Sequence, residues 1–183
     1  LSEMMNNYYN ELNSDEIREF SSGIYESAKV IYALIENLLT WTRIQSGKLE
    51  FEPSETNLRD AVRDVVFSSE TSALKKNITL LNEVEPGISI ICDRNMLDMI
   101  LRNILSNSIK FTYYGGEVRI SAELAGNFVI LVIKDNGIGI TAENLAKLFK
   151  MESIISTTGT NKEQGSGMGL LLTKDFVEIQ GGT

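Results

Sequence analysis

Three polar motifs follow one another in the C-terminal half of this chain, and their order restricts its fold more than any other feature. The first is Asn103-Ile104-Leu105-Ser106-Asn107-Ser108-Ile109-Lys110-Phe111. The second is Lys134-Asp135-Asn136-Gly137-Ile138-Gly139-Ile140, and the third Gly165-Ser166-Gly167-Met168-Gly169-Leu170. Apolar periodicity puts the first on a helix, the second at the end of a strand and the third at the start of a helix. A fold that gathers them creates one site from two amides on a helical face, a carboxylate at a strand end and two glycine loops.

Each motif has a bland reading and a sharp one. Asn103 and Asn107 sit four apart and project from one helical face. Amide oxygens there can ligate a hard cation such as Mg²⁺, which keeps waters and takes few protein ligands beside substrate phosphates. Alone, the pair reads more readily as a solvated face. Lys110, one turn on, can meet a phosphate; in isolation it is a surface lysine. Asp135 can accept a hydrogen bond from the exocyclic amine of adenine, with Gly137 and Gly139 letting the backbone approach a ring. Alone, Asp-Asn-Gly is a turn. Gly165, Gly167 and Gly169 precede a helix whose free N–H groups and dipole suit phosphate oxygens. A lone Gly-x-Gly-x-Gly also occurs in flexible linkers, and this one lacks both the P-loop Lys-Ser/Thr pair and the dinucleotide-binding spacing after a strand.

The N-terminal part follows a different period. Residues 1–12 read as the tail of a helix, and Asn13 with Glu16 three positions on is a capping signature for the next. A long helix runs to about residue 47. Ile17, Phe20, Ile24, Ile31, Leu34, Leu38 and Trp41, with Ser27 and Gln45 in the remaining slots, form a heptad seam. Two helices joined by a turn cannot bury both faces alone, so a helical hairpin that dimerises into a four-helix bundle is expected. The alternative is one long helix lying on its own globular domain. Trp41 is assigned to the seam rather than to a ligand.

The pattern changes near residue 48, where a domain boundary is placed, and a linker enters a strand at about residue 53. Residues 58–76 read as a helix with Leu58, Val62, Val65 or Val66, and Leu74 on one side. Strands are expected over 78–84 and 88–92. A helix follows over 94–111 with Met96, Leu97, Ile100, Leu101, Ile104 and Ile109 apolar. A turn at 113–116 leads to a hairpin of 118–124 with 128–133 around Ala125-Gly126-Asn127. Residues 136–168 read as a mobile loop with one short helix around 145–149. A last helix over 169–180 is stopped by Gly181-Gly182. Strands and helices do not alternate strictly, so the fold class is α+β, a mixed sheet with helices packed on one face.

Composition excludes some functions. With 17 Lys and Arg against 25 Asp and Glu, the net charge of −8 argues against nonspecific nucleic-acid binding, which depends on neutralising phosphates. An anionic nucleotide is still compatible, because a few local cations, a metal ion and backbone N–H groups can hold it. Cys92 is the only cysteine, so no internal disulfide forms and a reducing compartment fits. It reads as a small buried residue at a strand end. No apolar run reaches the ~18 residues of a membrane span. The chain contains no histidine, and its start at Leu1 suggests a longer parent protein.

Taken together, the three motifs, with Leu148-Phe149 between the last two, resemble the ATP-binding domain of sensor histidine kinases, within the gyrase, Hsp90, histidine kinase and MutL superfamily. The resemblance covers residues 50–183. The helix ending Leu38-Leu39-Thr40-Trp41-Thr42-Arg43-Ile44-Gln45-Ser46-Gly47-Lys48 resembles the dimerisation region of the same family. The resemblance implies a Bergerat-type α/β sandwich at 48–183, apparently without its last strands. It makes 1–47 a partial dimerisation hairpin without the phosphoacceptor histidine.

The resemblance also implies roles. Asn107 would bind Mg²⁺ with Asn103 beside it, Lys110 would meet phosphate, and these three would form the catalytic set. Phe111 would line the adenosine pocket and Asp135 would recognise the adenine amino group. Gly137 and Gly139, with Ile140, would form the pocket floor and hinge, and Phe149 would belong to the lid. Gly165, Gly167 and Gly169, with Met168 and Leu170, would close over the phosphates of ATP. The implied reaction moves the γ-phosphoryl group to a histidine and then to an aspartate of a response-regulator receiver domain. The implied setting is a homodimer forming the cytoplasmic domain of a membrane-anchored parent protein, with membrane contact made only by parts of the parent absent from this chain.

Two departures qualify the resemblance. The acceptor histidine is missing and would lie upstream of Leu1. The family's domain continues with two more strands past Gly-Gly-Thr, so an exposed sheet edge is expected. Two other functions remain open. An ATP-hydrolysing switch of the gyrase or Hsp90 kind needs a carboxylate base where Asn103 stands, and an amide is a very poor base. A non-catalytic dimerisation scaffold is the other.

Overall fold

The computed structural model describes residues 3, 6, 12–149, 158–161, 163 and 167–183. The helix tail expected over residues 1–12 falls almost wholly outside them. The first complete helix, α1 (Ser14–Gln45), starts where the capping signature places it. The Asn13 side-chain oxygen accepts the N–H groups of Asp15 and Glu16 at 3.0 and 2.9 Å, and Glu16 returns a carboxylate to the Asn13 N–H at 2.8 Å. Two of the N–H groups a helix start leaves unpaired are thereby satisfied within α1, and a third bond closes the box onto the cap itself.

The remaining elements are β1 (Pro53–Asn57), α2 (Leu58–Leu74), β2 (Thr79–Asn82), β3 (Ser89–Asp93), α3 (Arg94–Phe111), β4 (Glu117–Ala125), β5 (Phe128–Asp135), α4 (Ala142–Leu145) and α5 (Gly169–Ile179). Among the described residues the strands form two sheets. One has the order β2-β4-β5, parallel at β2/β4 and antiparallel at β4/β5; the other pairs β1 with β3 antiparallel. This is the mixed α+β arrangement the sequence pattern predicts. The outer strand β5 buries alternate residues: Val129, Leu131 and Ile133 pack on the core, while Phe128, Ile130 and Val132 face outward.

One hydrophobic core lies between the helices and the larger sheet. Leu58, Val62 and Val65 enter it from α2, Leu97, Leu101, Leu105 and Ile109 from α3, and Val118 and Ile120 from β4. On the opposite side of α3 a second cluster joins Met96 and Ile100 to Leu172 and Phe176 of α5. The two helices run antiparallel there: Gly169 at the start of α5 meets Asn103, and Gln180 past its end accepts the Asp93 N–H at 3.0 Å. Trp41 and Ile44 from the last turns of α1 pack on this second cluster. Trp41, assigned to the heptad seam, packs instead on the α/β unit. Farther up α1, Ile31 and Leu38 of the seam are exposed within the single chain.

Two details of the helical readings change. Leu74 is 74% exposed, and the buried stripe of α2 closes on Ala73 instead. Leu105, absent from the apolar set expected of α3, is 1% exposed, whereas Ile104 is only partly buried, against the second cluster. A helix sandwiched between two clusters buries a wider arc than one stripe predicts. Leu105→Ala should accordingly cost about 2–5 kcal/mol in urea unfolding. Leu74→Ala should stay within about 0.5 kcal/mol of the parent chain. Equal effects from the two would contradict this assignment of the core.

Candidate functional site

The site grows from the C-terminal end of α3. A helix leaves its last four carbonyls without intrahelical partners. Here Ser108 O accepts from the Thr112 N–H and hydroxyl at 3.0 and 2.6 Å. Ile109 O and Lys110 O accept from the Lys76 ammonium at 2.8 and 2.9 Å, and Lys110 O also takes the Thr160 N–H at 3.1 Å. Phe111 O accepts the Ile138 N–H at 3.1 Å. That last bond docks the second motif onto the first.

The docking requires glycine. A Cβ at position 137 would run into the carbonyl group of Phe111. The Gly137 N–H meanwhile donates to Asp135 Oδ1 at 3.0 Å, which fixes the rotation of the carboxylate at the end of β5. Asn136 Oδ1 accepts the Glu117 N–H at 2.9 Å and ties the same turn to β4. The close approach expected of Gly137 is thus to the backbone of Phe111. Gly139 takes the left-handed conformation, φ 68°, two residues on.

The third motif reaches α3 at its middle. Asn103 donates from Nδ2 to Gly169 O at 3.3 Å, and the buried Met168 occupies the N-cap position of α5. Asn103, Asn107, Lys110, Phe111, Asp135, Gly137 and Gly169 therefore belong to, or are bonded directly to, one helix and the turn on its end. Gly167 and Leu170 flank Gly169 in sequence, while Gly165 lies outside the described residues. Ile140 is 56% exposed and Phe149 50%. The short helix expected at 145–149 comes earlier, as α4, because Thr141 caps it through the Asn144 N–H at 3.3 Å.

The electrostatics follow from burial. Lys110 Nζ stands 4.8 Å from the centre of the Phe111 ring. Burial pushes its ammonium below the usual lysine value, and the charge of Glu163 partly offsets this. Asn107 is half-buried one turn earlier. Among the described residues no group of three or more His, Cys, Asp or Glu is placed to hold a metal. The donor set at Asn107 thus suits a hard ion only when substrate phosphates complete its shell, which is a common way of holding Mg²⁺.

Sequence reasoning missed Lys76, Thr160 and Glu163. Lys76 is 5% exposed and gives its ammonium to four acceptors, the two α3 carbonyls already named, Thr160 Oγ1 at 2.5 Å and Glu163 Oε1 at 3.1 Å. A lysine after a helix reads as solvated, and no periodic pattern marks it for burial. For Glu163, burial pushes the carboxyl up. Hydrogen bonds from its own N–H and that of Asn161, then the Lys76 ammonium, outweigh burial and hold it below the usual carboxylate range. Beside this cluster lies a hollow of about 410 Å³ lined by Lys75, Lys76, Tyr113, Tyr114, Thr160 and Asn161, none of them among the expected nucleotide residues.

Comparison with known proteins places this geometry. Residues 92–183 match the family described as histidine kinase-, DNA gyrase B-, and HSP90-like ATPase. A sensor-like histidine kinase of Rhizobium meliloti, itself uncharacterised, is 31% identical over 96% of the chain, which spans 34% of that relative's length. Full-length histidine kinase ShkA, solved in complex with AMPPNP, covers 93% of the chain at TM-score 0.72 and 23% identity, over 35% of its own length. Histidine kinase ThkA, solved with the response regulator TrrA, covers 99% at TM-score 0.76 and 20% identity, over 50% of its own length. At such identities the two structures show a shared fold.

The Glu163 environment sets a pH dependence. Its carboxyl is depressed in the folded chain, so its contribution is fully present above the ordinary carboxylate value and is lost as pH falls through the folded value. Glu163→Gln should therefore lower thermal stability at pH 7 and flatten the acid limb of the stability curve below about pH 5. Parallel acid limbs for the two chains would contradict the depression.

Proposed function

The chain belongs to the histidine kinase-, DNA gyrase B- and HSP90-like ATPase family, and we propose that it is the ATP-binding core of a two-component sensor histidine kinase. The observation that carries the proposal is the convergence of three sequence-distant motifs on α3, with the Asp135 turn docked on Phe111 and the start of α5 docked on Asn103. The similarity to a histidine kinase solved with AMPPNP supports the nucleotide reading.

In this reading Asp135 accepts a hydrogen bond from the adenine amino group. Its carboxylate is already oriented by the Gly137 N–H. Gly137, Gly139 and Ile140 form the pocket edge, and Phe111 lines the adenosine side. Lys110 meets a phosphate oxygen; partial desolvation strengthens that interaction, because charges attract more strongly away from water. Asn107 would hold Mg²⁺, which when bound neutralises phosphate charge. Gly167, Met168, Gly169 and Leu170 present backbone N–H groups at the helix start, Gly165 would close over the phosphates with them, and Phe149 would belong to the covering loop. Catalysis by such a site is chiefly positioning and charge neutralisation.

The phosphoryl acceptor is a histidine supplied from outside this chain, which contains none. Residues 48–183 form the nucleotide domain and 1–47 belong to a dimerisation hairpin whose second helix is α1. The product phosphohistidine serves a response-regulator receiver domain, a reading supported by the kinase solved with its regulator. No described helix is long and apolar enough to cross a membrane, and the proposed location is the cytoplasm.

Calorimetric titration with ATP should show Mg²⁺-dependent binding. Asp135→Asn should weaken it by about tenfold or more, the scale of a lost hydrogen bond to a charged group, and Asn107→Ala should remove the Mg²⁺ dependence. A wild-type chain that binds no ATP overturns the reading. Joined to a histidine-bearing helix, the chain should yield an acid-labile phosphoprotein; inorganic phosphate release without labelling would favour a hydrolytic switch. For assembly, light scattering should show dimers that Ile31→Asp and Leu38→Asp dissociate, since both side chains lie exposed on α1. Monomers at every concentration would remove the seam from the dimer interface.

A further inference from the structure

Lys76 lies outside all three motifs, yet it holds together the parts that carry them. It follows α2, and its ammonium is inserted between the last turn of α3 and the segment 158–163. Its three N–H protons serve four acceptors: Ile109 O at 2.8 Å, Lys110 O at 2.9 Å, Thr160 Oγ1 at 2.5 Å and Glu163 Oε1 at 3.1 Å. Thr160 repeats the connection on its own account. Its N–H donates to Lys110 O at 3.1 Å, and its hydroxyl lies 2.7 Å from Thr112 O and 3.2 Å from Lys110 O.

The backbone of the segment fits as closely as its side chains. Gly159 N–H donates to Glu163 O at 2.9 Å, closing a short turn. A Cβ on Gly159 would collide with Glu163 Oε2, and also with the Lys110 side chain 2.5 Å away. The Lys110 carbonyl is thus contacted by a side-chain ammonium, a backbone N–H and a hydroxyl at once. One end of the arrangement is functional in the reading above, with Lys110 facing phosphate; the other, Glu163, stands two positions before Gly165 in the sequence.

We infer that Lys76 is a positioning residue for nucleotide binding, anchoring the return limb of the loop between β5 and α5 onto the backbone of Lys110. The chemistry favours a cation at this place. Helix C-terminal carbonyls carry partial negative charge, and the adjacent Glu163 carboxylate adds a full one. A neutral side chain would leave two carbonyls and a carboxylate in poor company at a mostly buried point. The buried ammonium is itself tolerable only because all four acceptors are present together. Loss of any one partner should therefore loosen the limb and spread the root of Lys110.

This inference rests on the nucleotide-site reading, and its test has one arm that needs no nucleotide. Hydrogen exchange on the free chain reads the Gly159 and Thr160 amides directly. In Lys76→Met their exchange should rise by about tenfold or more, the scale of a lost charged hydrogen bond, while the Val118 and Ile120 amides keep their protection. Should Lys76→Met not fold, Thr160→Val provides the second variant. It keeps the β-branched shape and loses the hydroxyl; it should raise exchange at the same two amides, and Thr160→Ser should restore protection. Calorimetry with Mg-ATP forms the other arm. Lys76→Met and Thr160→Val should bind several-fold to tenfold more weakly than wild type at a temperature where each is fully folded, with Thr160→Ser returning to the wild-type Kd. Unchanged exchange at both amides overturns the anchor. Faster exchange with an unchanged Kd, or a loss visible only as a lower Tm, overturns the positioning role and leaves a structural one. A wild-type chain that binds no ATP fails the nucleotide reading itself, and the positioning role falls with it, while the exchange arm still decides whether the anchor exists.

Discussion

The carbonyl end of α3 organises this molecule. A helix that stops inside a folded domain must find donors for its last C=O groups, since burying them unpaired is costly. In this chain the donors come from three distant stretches: Lys76 after α2, Thr160 from the loop before α5, and Ile138 from the turn after β5. Satisfying one helix end therefore brings the Asp135–Gly137 turn against Phe111 and the 159–163 limb against Lys110. The site is a consequence of capping a helix with segments that carry polar chemistry.

What was legible in the sequence follows from the range of the forces involved. The Asn13–Glu16 box, the bounds of α3 and the β4–β5 hairpin all depend on neighbours within a few residues, and each sits where pattern placed it. The fold class followed from the order of these elements. Leu74 and Leu105 were misjudged because a single helical stripe cannot tell which side chains a second layer will cover. The α3 helix is covered twice, by the sheet on one side and by α5 on the other. The three motifs were legible as a set because the first puts two amides on one helical face and the other two pair polar residues with glycines, which local packing alone does not explain. Lys76 carried no such signal. Its role depends on partners 33 to 87 positions away, and one lysine of the Lys75-Lys76 pair has the same appearance in sequence whether buried or bathed in water.

The charge balance makes the local cations more telling. A chain with net charge −8 repels anions on the whole, so a triphosphate needs a place where that field is reversed. Two lysines lie at the end of α3, and they are used differently. The charge of Lys76 is committed to two carbonyls and Glu163. Lys110 stands over the Phe111 ring with its ammonium partly desolvated. If Lys76 were absent, the Glu163 carboxylate would be left beside Lys110 without its own cation, and in the proposed reading a phosphate approaching Lys110 would compete with it. By engaging Glu163, Lys76 weakens that competition.

Asn103 shows why the same family can support different chemistry from one scaffold. A water-activating ATPase needs a carboxylate to take a proton from the attacking water, and an amide cannot serve that purpose. In this chain the amide has a different task, donating from Nδ2 to the Gly169 carbonyl, which also accepts the Thr173 hydroxyl at 2.9 Å. A carboxylate in that place has no proton to give at neutral pH, and two oxygens would face each other across the same gap. The contact between α3 and the start of α5 is thus built on a donor, and the choice of amide removes the hydrolytic base while fastening the glycine loop to the helix. In the proposed reading the loss of that base disfavours direct attack by water, as suits a phosphoryl acceptor that is a side chain brought from elsewhere.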